Sequence, residues 1–255
     1  MMRLVNREGV DRLRREIARI EQGARDATAP VLPFGVAEID RCLPGGGLMR
    51  GALHEVNGKG PDEEDASVPA SFIAGLAARL DPAKQILWCQ SGGGDLYGPG
   101  LASCGLAPAR LLIAHAGNAV DLLWAMEEGL RTRSLAAVVG EIADLAAPAS
   151  RRLQLAAENS GVTAFALRRF RVPSGTARAP NASVTRWCVS PAPSAPRDGE
   201  PGLGRPRWRL ELWRARGGAP AEWIVEACDA TGHVALPAAL GDGSARRERF
   251  RTVGT

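Results

Sequence analysis

The sequence predicts an α/β fold built on a mostly parallel sheet, and three observations carry that prediction. Between residues 31 and 167, short apolar runs alternate with segments of helical periodicity ten or so residues long. This is the pattern of right-handed strand-helix-strand crossovers. Runs such as QILWC and LAAVVG are apolar throughout rather than alternating, as strands are when helices cover both faces of the sheet. After Phe170 the texture changes: Pro-, Gly- and Ser-rich stretches separate SVTRWCV, WRLELWRA and EWIVEA, whose alternation suits an antiparallel meander at the sheet's edge.

The elements follow in order. Val10, Leu13, Ile17 and Ile20 recur at helical spacing with Arg and Glu between them, so an amphipathic helix is expected over 9–22. Residues 23–30 lack periodicity and read as a linker. The apolar stripe is therefore a candidate arm for self-association or for a partner. Within the core the spacing predicts helices over 36–42, 69–80, 97–104, 119–132 and 149–159. Strands are expected over 52–57, 85–89, 110–114, 136–140 and 162–167. Residues 191–206 are a long loop, and 241–255 (GDGSARRERFRTVGT) carry four arginines and little apolar content, the composition of a flexible, disordered tail. The expected organisation is a helix and linker over 1–30, one core domain over 31–240 and a basic tail over 241–255.

Composition excludes several classes. No run approaches the ~18–20 apolar residues of a membrane span, and the N-terminus lacks an apolar signal core, so a cytoplasmic protein is expected. Five cysteines and three histidines show no metal-ligand spacing, which argues for buried thiols rather than a disulfide framework or zinc site. The net charge of +4 hides an asymmetry: residues 1–149 carry 15 basic and 19 acidic side chains, residues 150–255 carry 17 and 9. The basic half raises nucleic acid as a partner.

In a doubly wound sheet the ligand site lies beyond the carboxyl ends of the strands. A phosphate loop there needs Gly-Lys-Ser/Thr at a helix start. After the first core strand this chain has NGKGPDEEDASVP, in which Lys59 comes too early and Asp62, Glu63, Glu64 and Asp65 follow. Like charges about 4 Å apart repel by roughly 4 kcal/mol at an effective dielectric of 20, so this loop disfavours a triphosphate.

The run LPFGVAEIDRCLPGGGLMRGALHEVNG resembles the opening of the RecA-family ATPase core, matching at Leu32, Gly35, Ile39, Asp40, Leu43, Gly45, Gly46, Gly47, Leu48, Gly51 and Glu55. QILWCQS and LAAVVGEIADL stand where that family has its catalytic-Glu and Walker B strands. The departures matter more. Gln90 or Ser91 stands at the catalytic Glu, Gly140 at the Walker B Asp with Glu141 beside it, and Glu64 near the phosphate-loop Lys. The base, the metal ligand and the phosphate clamp are the groups phosphoryl transfer depends on. A RecA-like core without them, followed by a Pro- and Arg-rich C-terminal portion, is similar to the ImuA family of translesion-synthesis accessory proteins.

That resemblance implies a non-catalytic adaptor without a cofactor, acting in damage-induced mutagenesis through an ImuB-type inactive Y-family polymerase. RecA and an error-prone C-family polymerase stand open as further partners. Two other readings remain at this point: a divergent RecA-like ATPase or DNA-binding protein whose phosphates reach Lys59, and a SulA-like division inhibitor.

Three groups of basic residues are candidate contacts. Arg168, Arg169 and Arg171 follow the strand VTAFAL and are candidates for nucleic-acid phosphate, or a solvated strand end. Arg205, Arg207, Arg209, Arg214 and Arg216 interleave with Trp208 and Trp213, as in single-strand binders or a half-buried edge strand. Trp208 is expected on the apolar face and Trp213 on the other. Arg246, Arg247, Arg249, Phe250 and Arg251 form a cationic tail with one aromatic anchor, the best candidate for docking a partner.

Overall fold

A two-stranded antiparallel clip opens the fold: β1 (Val31–Leu32) pairs with β2 (Leu48–Met49). The computed structural model describes residues 30–60, 67–91, 96–169, 180–194 and 204–237. Between the clip strands lies α1 (Ala37–Asp40), with a single 3-10 turn at Pro44–Gly46. The Asp40 carboxylate accepts the backbone N–H groups of Phe34 (2.7 Å) and Gly35 (3.1 Å), which closes the loop entering this helix. At Gly47 a Cβ would lie 2.7 Å from the Leu32 carbonyl oxygen, so the clip can close only on glycine.

The main sheet follows. β3 (Leu53–Asn57) leads to α2 (Ser67–Ala78), β4 (Gln85–Ser91), α3 (Gly98–Ser103), β5 (Leu111–Ala116), α4 (Ala119–Arg131), β6 (Leu135–Ile142), α5 (Ala147–Ser160) and β7 (Thr163–Arg168). Then come β8 (Thr185–Ala192), β9 (Arg207–Ala215) and β10 (Ala221–Glu226). The eight strands lie in the order β5-β4-β6-β7-β3-β8-β9-β10. The sheet is parallel from β5 to β8, and only the β8–β9 and β9–β10 pairings are antiparallel. The α/β class is as expected, and β8, β9 and β10 form the antiparallel meander; β8 also joins β3 in parallel register, which attaches the meander to the core. Its side chains are buried over Thr185 to Ser190, as a central strand's must be.

Helices α2 and α3 pack on one face, α4 and α5 on the other. α2 is buried almost all round, at Pro69, Ala70, Phe72, Ile73, Ala74, Gly75, Leu76 and Ala77. Phe34, Phe72, Trp187 and Trp208 form an aromatic cluster beneath it, with centroids 5.4–6.4 Å apart. On the other face Leu122, Met126 and Leu130 of α4 and Leu153 and Ala157 of α5 meet Leu53, Val138 and Ala164 of the sheet. α4 starts at an N-cap, Asn118, whose side chain accepts from the N–H groups of Val120 and Asp121.

One buried histidine anchors the clip to the sheet. His54 is wholly buried; its Nε2 lies 2.8 Å from the Met49 carbonyl and its Nδ1 2.7 Å from Thr185 Oγ1. A carbonyl only accepts, so the proton sits on Nε2, and Nδ1 accepts from the Thr185 hydroxyl. That hydroxyl in turn accepts from Trp187 Nε1 at 2.9 Å. Burial depresses the imidazole pKa from 6.5 to about 4. Between these values the unfolded chain binds the proton and the native one does not, so stability is full above pH 6.5, falls as the pH drops, and levels off below about 4. The full span corresponds to about 3 kcal/mol. Urea unfolding between pH 7 and 4 is expected to show this slope, and His54→Gln is expected to flatten it.

Candidate functional site

The carboxyl ends of β3, β4, β6 and β7 meet where a ligand would sit in a fold of this class. Two clusters of paired charge occupy this edge, one on each face of the sheet. By the period of two, Leu53, Glu55 and Asn57 of β3 face α5, while His54 and Val56 face α2. The Glu55 side chain is fully buried. Its Oε1 accepts from Arg168 Nη1 (3.0 Å); its Oε2 accepts from Arg186 Nε (2.7 Å) and Asn181 Nδ2 (2.7 Å). Arg168 also donates to the Ala143 carbonyl and lies 3.7 Å from Asp144. One carboxylate thus ties the neighbouring strands β7, β3 and β8 together.

On the α2 face Glu141, at the end of β6, is held from two sides. Trp88 Nε1 donates to its Oε1 (2.8 Å) and Arg169 Nε to its Oε2 (2.9 Å). Beside this cluster, Gln90 Nε2 donates to His115 Nδ1 at 3.2 Å. Gly140 faces the other way, against α4. A Cβ there would lie 2.6 Å from Cε and 2.9 Å from Cγ of Met126, with the sulfur closer still. Lys59 reaches sideways to Glu211 of β9 at 3.6 Å.

A search of protein-family profiles finds no match. Over 221 residues, however, the chain is 41% identical to the Protein ImuA of Caulobacter vibrioides, in each of two strains. The aligned region is 84% of this chain and 89% of the relative. The chain belongs to the ImuA family. Membership ties it to the DNA-damage-induced mutagenesis system.

In this ImuA-family core the expected basic contacts divide. Arg168 is corrected: it is not a surface phosphate contact, because its side chain is 1% exposed and committed to Glu55. Arg169 is partly buried and paired with Glu141, while Arg171 lies outside the described residues. So do Val10, Leu13, Ile17, Ile20, Arg246, Arg247, Arg249, Phe250 and Arg251. On β9 and its flanks Arg205 pairs with Glu226, Arg209 with Glu222 and Arg216 with Glu158. Arg214 donates to the Asn181 carbonyl. Trp208 is buried and Trp213 lies on the opposite face with its indole N–H on Glu211. The strand is half-buried as expected, but it is not the edge: β9 is paired on both sides, by β8 and β10, and carboxylates from β10 compensate much of its charge. No helix among the described residues is long and apolar enough to cross a membrane.

The cysteines behave as packing residues. Cys89 and Cys228 are pushed up to about 12 by burial, and Cys104 and Cys188 are buried. Thiolate is the reactive form. A thiol reagent such as DTNB at pH 8 is therefore expected to label Cys42 first and the other four only on unfolding; rapid native labelling of Cys89 would contradict the packing.

What the sequence missed here is pairing, not residue type. Glu55 stood in the matched motif, and its period-two position on an apolar strand was the available signal. Its partners lie 113, 126 and 131 positions away.

Proposed function

We propose that this protein is a non-catalytic adaptor of damage-induced translesion synthesis, acting by protein contacts with an ImuB-type inactive Y-family polymerase and with RecA. The observation that carries the reading is the engagement of the carboxylates at the ligand edge. Phosphoryl transfer needs an acid or metal ligand open to solvent and substrate. Glu141 instead accepts from Trp88 and Arg169, and Glu55 lies buried beneath two guanidinium groups. The Walker B position is a glycine packed on Met126, and Lys59 leans on Glu211. These features favour a scaffold over a motor, and the family supplies its setting.

The test has two arms. The full chain is expected to co-purify with the Y-family partner, and truncation of 1–22 or 241–255 to remove one complex while sparing another. Saturating MgATP is expected to leave the thermal midpoint unchanged. A ligand at 100 times its dissociation constant stabilises by about 2.7 kcal/mol. A rise of several degrees with hydrolysis would overturn the adaptor reading in favour of a divergent ATPase.

A further inference from the structure

The outer surface of α4 and α5 shows a combination that neither the mutasome setting nor the strand edge uses. Val120 and Trp124 on α4 are 75% and 65% exposed, and Leu155 on α5 is 51% exposed. A groove of about 390 Å³ runs between the two helices, floored in part by Ala156. Arg131 and Arg133 stand on one side of it and Arg152 on the other. Glu127 is paired with Arg131 at 2.8 Å and Arg152 at 3.5 Å, so it holds the two guanidinium groups over the groove from opposite walls, and Arg131 is also paired with Glu128.

The spacing is regular. Val120, Trp124, Glu127 and Arg131 follow i, i+4, i+7, i+11, a single outward stripe of a helix. Arg152, Leu155 and Asn159 form the facing stripe on α5 at i, i+3, i+7. Both helices follow parallel strands and run the same way, and Glu127 meets Arg152, which brings the stripes side by side. Solvated helix faces do not ordinarily present a tryptophan and a branched apolar residue one turn apart.

We infer that the α4–α5 groove is a docking site for an acidic amphipathic helix of a partner protein, its apolar anchors seated against Trp124 and Leu155 and its carboxylates read by Arg131, Arg133 and Arg152. Three arginines against two carboxylates, Glu127 and Glu128, leave the groove net positive, which sets the sign of the partner. The apolar stripe sets its class: helix-in-groove recognition uses anchors at i, i+3/i+4 and i+7, and aromatic and Arg side chains dominate such interfaces. Nucleic acid also attracts arginines and could stack a base on Trp124, but it would leave Val120 and Leu155 without use and set its phosphates against Glu127 and Glu128. The inference extends the adaptor reading to the core. Because its test needs neither polymerase nor RecA, the failure of either leaves the other standing.

The test titrates the full chain into three fluorescein-labelled probes: a Glu-rich 16-residue peptide with Leu at helical i, i+3, i+7 spacing, its scrambled isomer, and a 20-nucleotide oligo-dT. The amphipathic peptide is expected to bind in the micromolar range and at least tenfold more tightly than the scramble. Trp124→Ala and the double variant Arg131→Glu/Arg152→Glu are each expected to weaken it tenfold or more. Both sites are exposed, so an unchanged thermal midpoint shows that the variants are folded. No binding by the amphipathic peptide, or binding indifferent to Trp124→Ala, overturns the inference. Oligo-dT binding tighter than that of the amphipathic peptide and dependent on the arginines, with or without Trp124, would make the groove a nucleic-acid surface and overturn it equally.

Discussion

Glu55→Gln is expected to destabilise the native state by about 3–5 kcal/mol, the usual cost of removing one partner from a buried ionic cluster. The carboxylate accepts from Arg168, Arg186 and Asn181 and is fully buried. A glutamine amide keeps one acceptor but turns a donor and a neutral group toward two guanidinium groups that water does not reach. Because domain stability is commonly about 5–15 kcal/mol, the loss consumes a large part of it. Urea unfolding of the purified variant measures the effect. Replacing the triad together, as Glu55→Met/Arg168→Met/Arg186→Met, is expected to recover much of it, since an uncharged, packed cluster leaves no ion to desolvate. A cost below about 1 kcal/mol for Glu55→Gln would show that the triad does not hold β7, β3 and β8 together.

The second large effect is at Gly140. Gly140→Ala places a methyl group inside van der Waals distance of Met126, and overpacking of this kind costs about 1–3 kcal/mol. Gly140→Asp adds the burial of a carboxylate in a wall of Val138, Leu122 and Met126, a further several kcal/mol unless the chain rearranges. The two contributions separate in a double-mutant cycle. Met126→Ala is expected to relieve Gly140→Ala, because the clash is steric, and to leave Gly140→Asp impaired, because the charge remains buried. Thermal or urea unfolding of the wild type, the three single variants and the two double variants reads this directly.

Much of the fold was legible in the sequence because its signals are local. The apolar run QILWC and the helix-period run AVDLLWAMEEGLR state their own conformations, and the observed bounds of β4 and α4 differ from expectation by two residues or fewer. The motif LPFGVAEIDRCLPGGGL is also local: Asp40 closes its own loop and Gly47 admits its own neighbour's backbone. The basic run on β9 was legible to the extent that period two separated Trp208 from Trp213. The two-residue clip strands were not expected, because two residues carry no periodicity.

The sequence by itself determined the α/β class, the order of the elements of the parallel core, and the opposite faces on which Trp208 and Trp213 lie. All of these depend on residue type and on spacing within a few positions. The tertiary structure alone decided which charges are spent. Arg168 reads in sequence like any other basic residue after a strand, and becomes a buried crosslink only because β7 and β8 flank β3 and deliver Arg168, Arg186 and Asn181 to Glu55. Trp124 reads as one more apolar residue of a helix, and is left in solvent because the stripe that docks on the sheet is Leu122, Met126 and Leu130. Ion pairing and exposure are properties of where distant segments meet, and spacing along the chain does not encode that meeting.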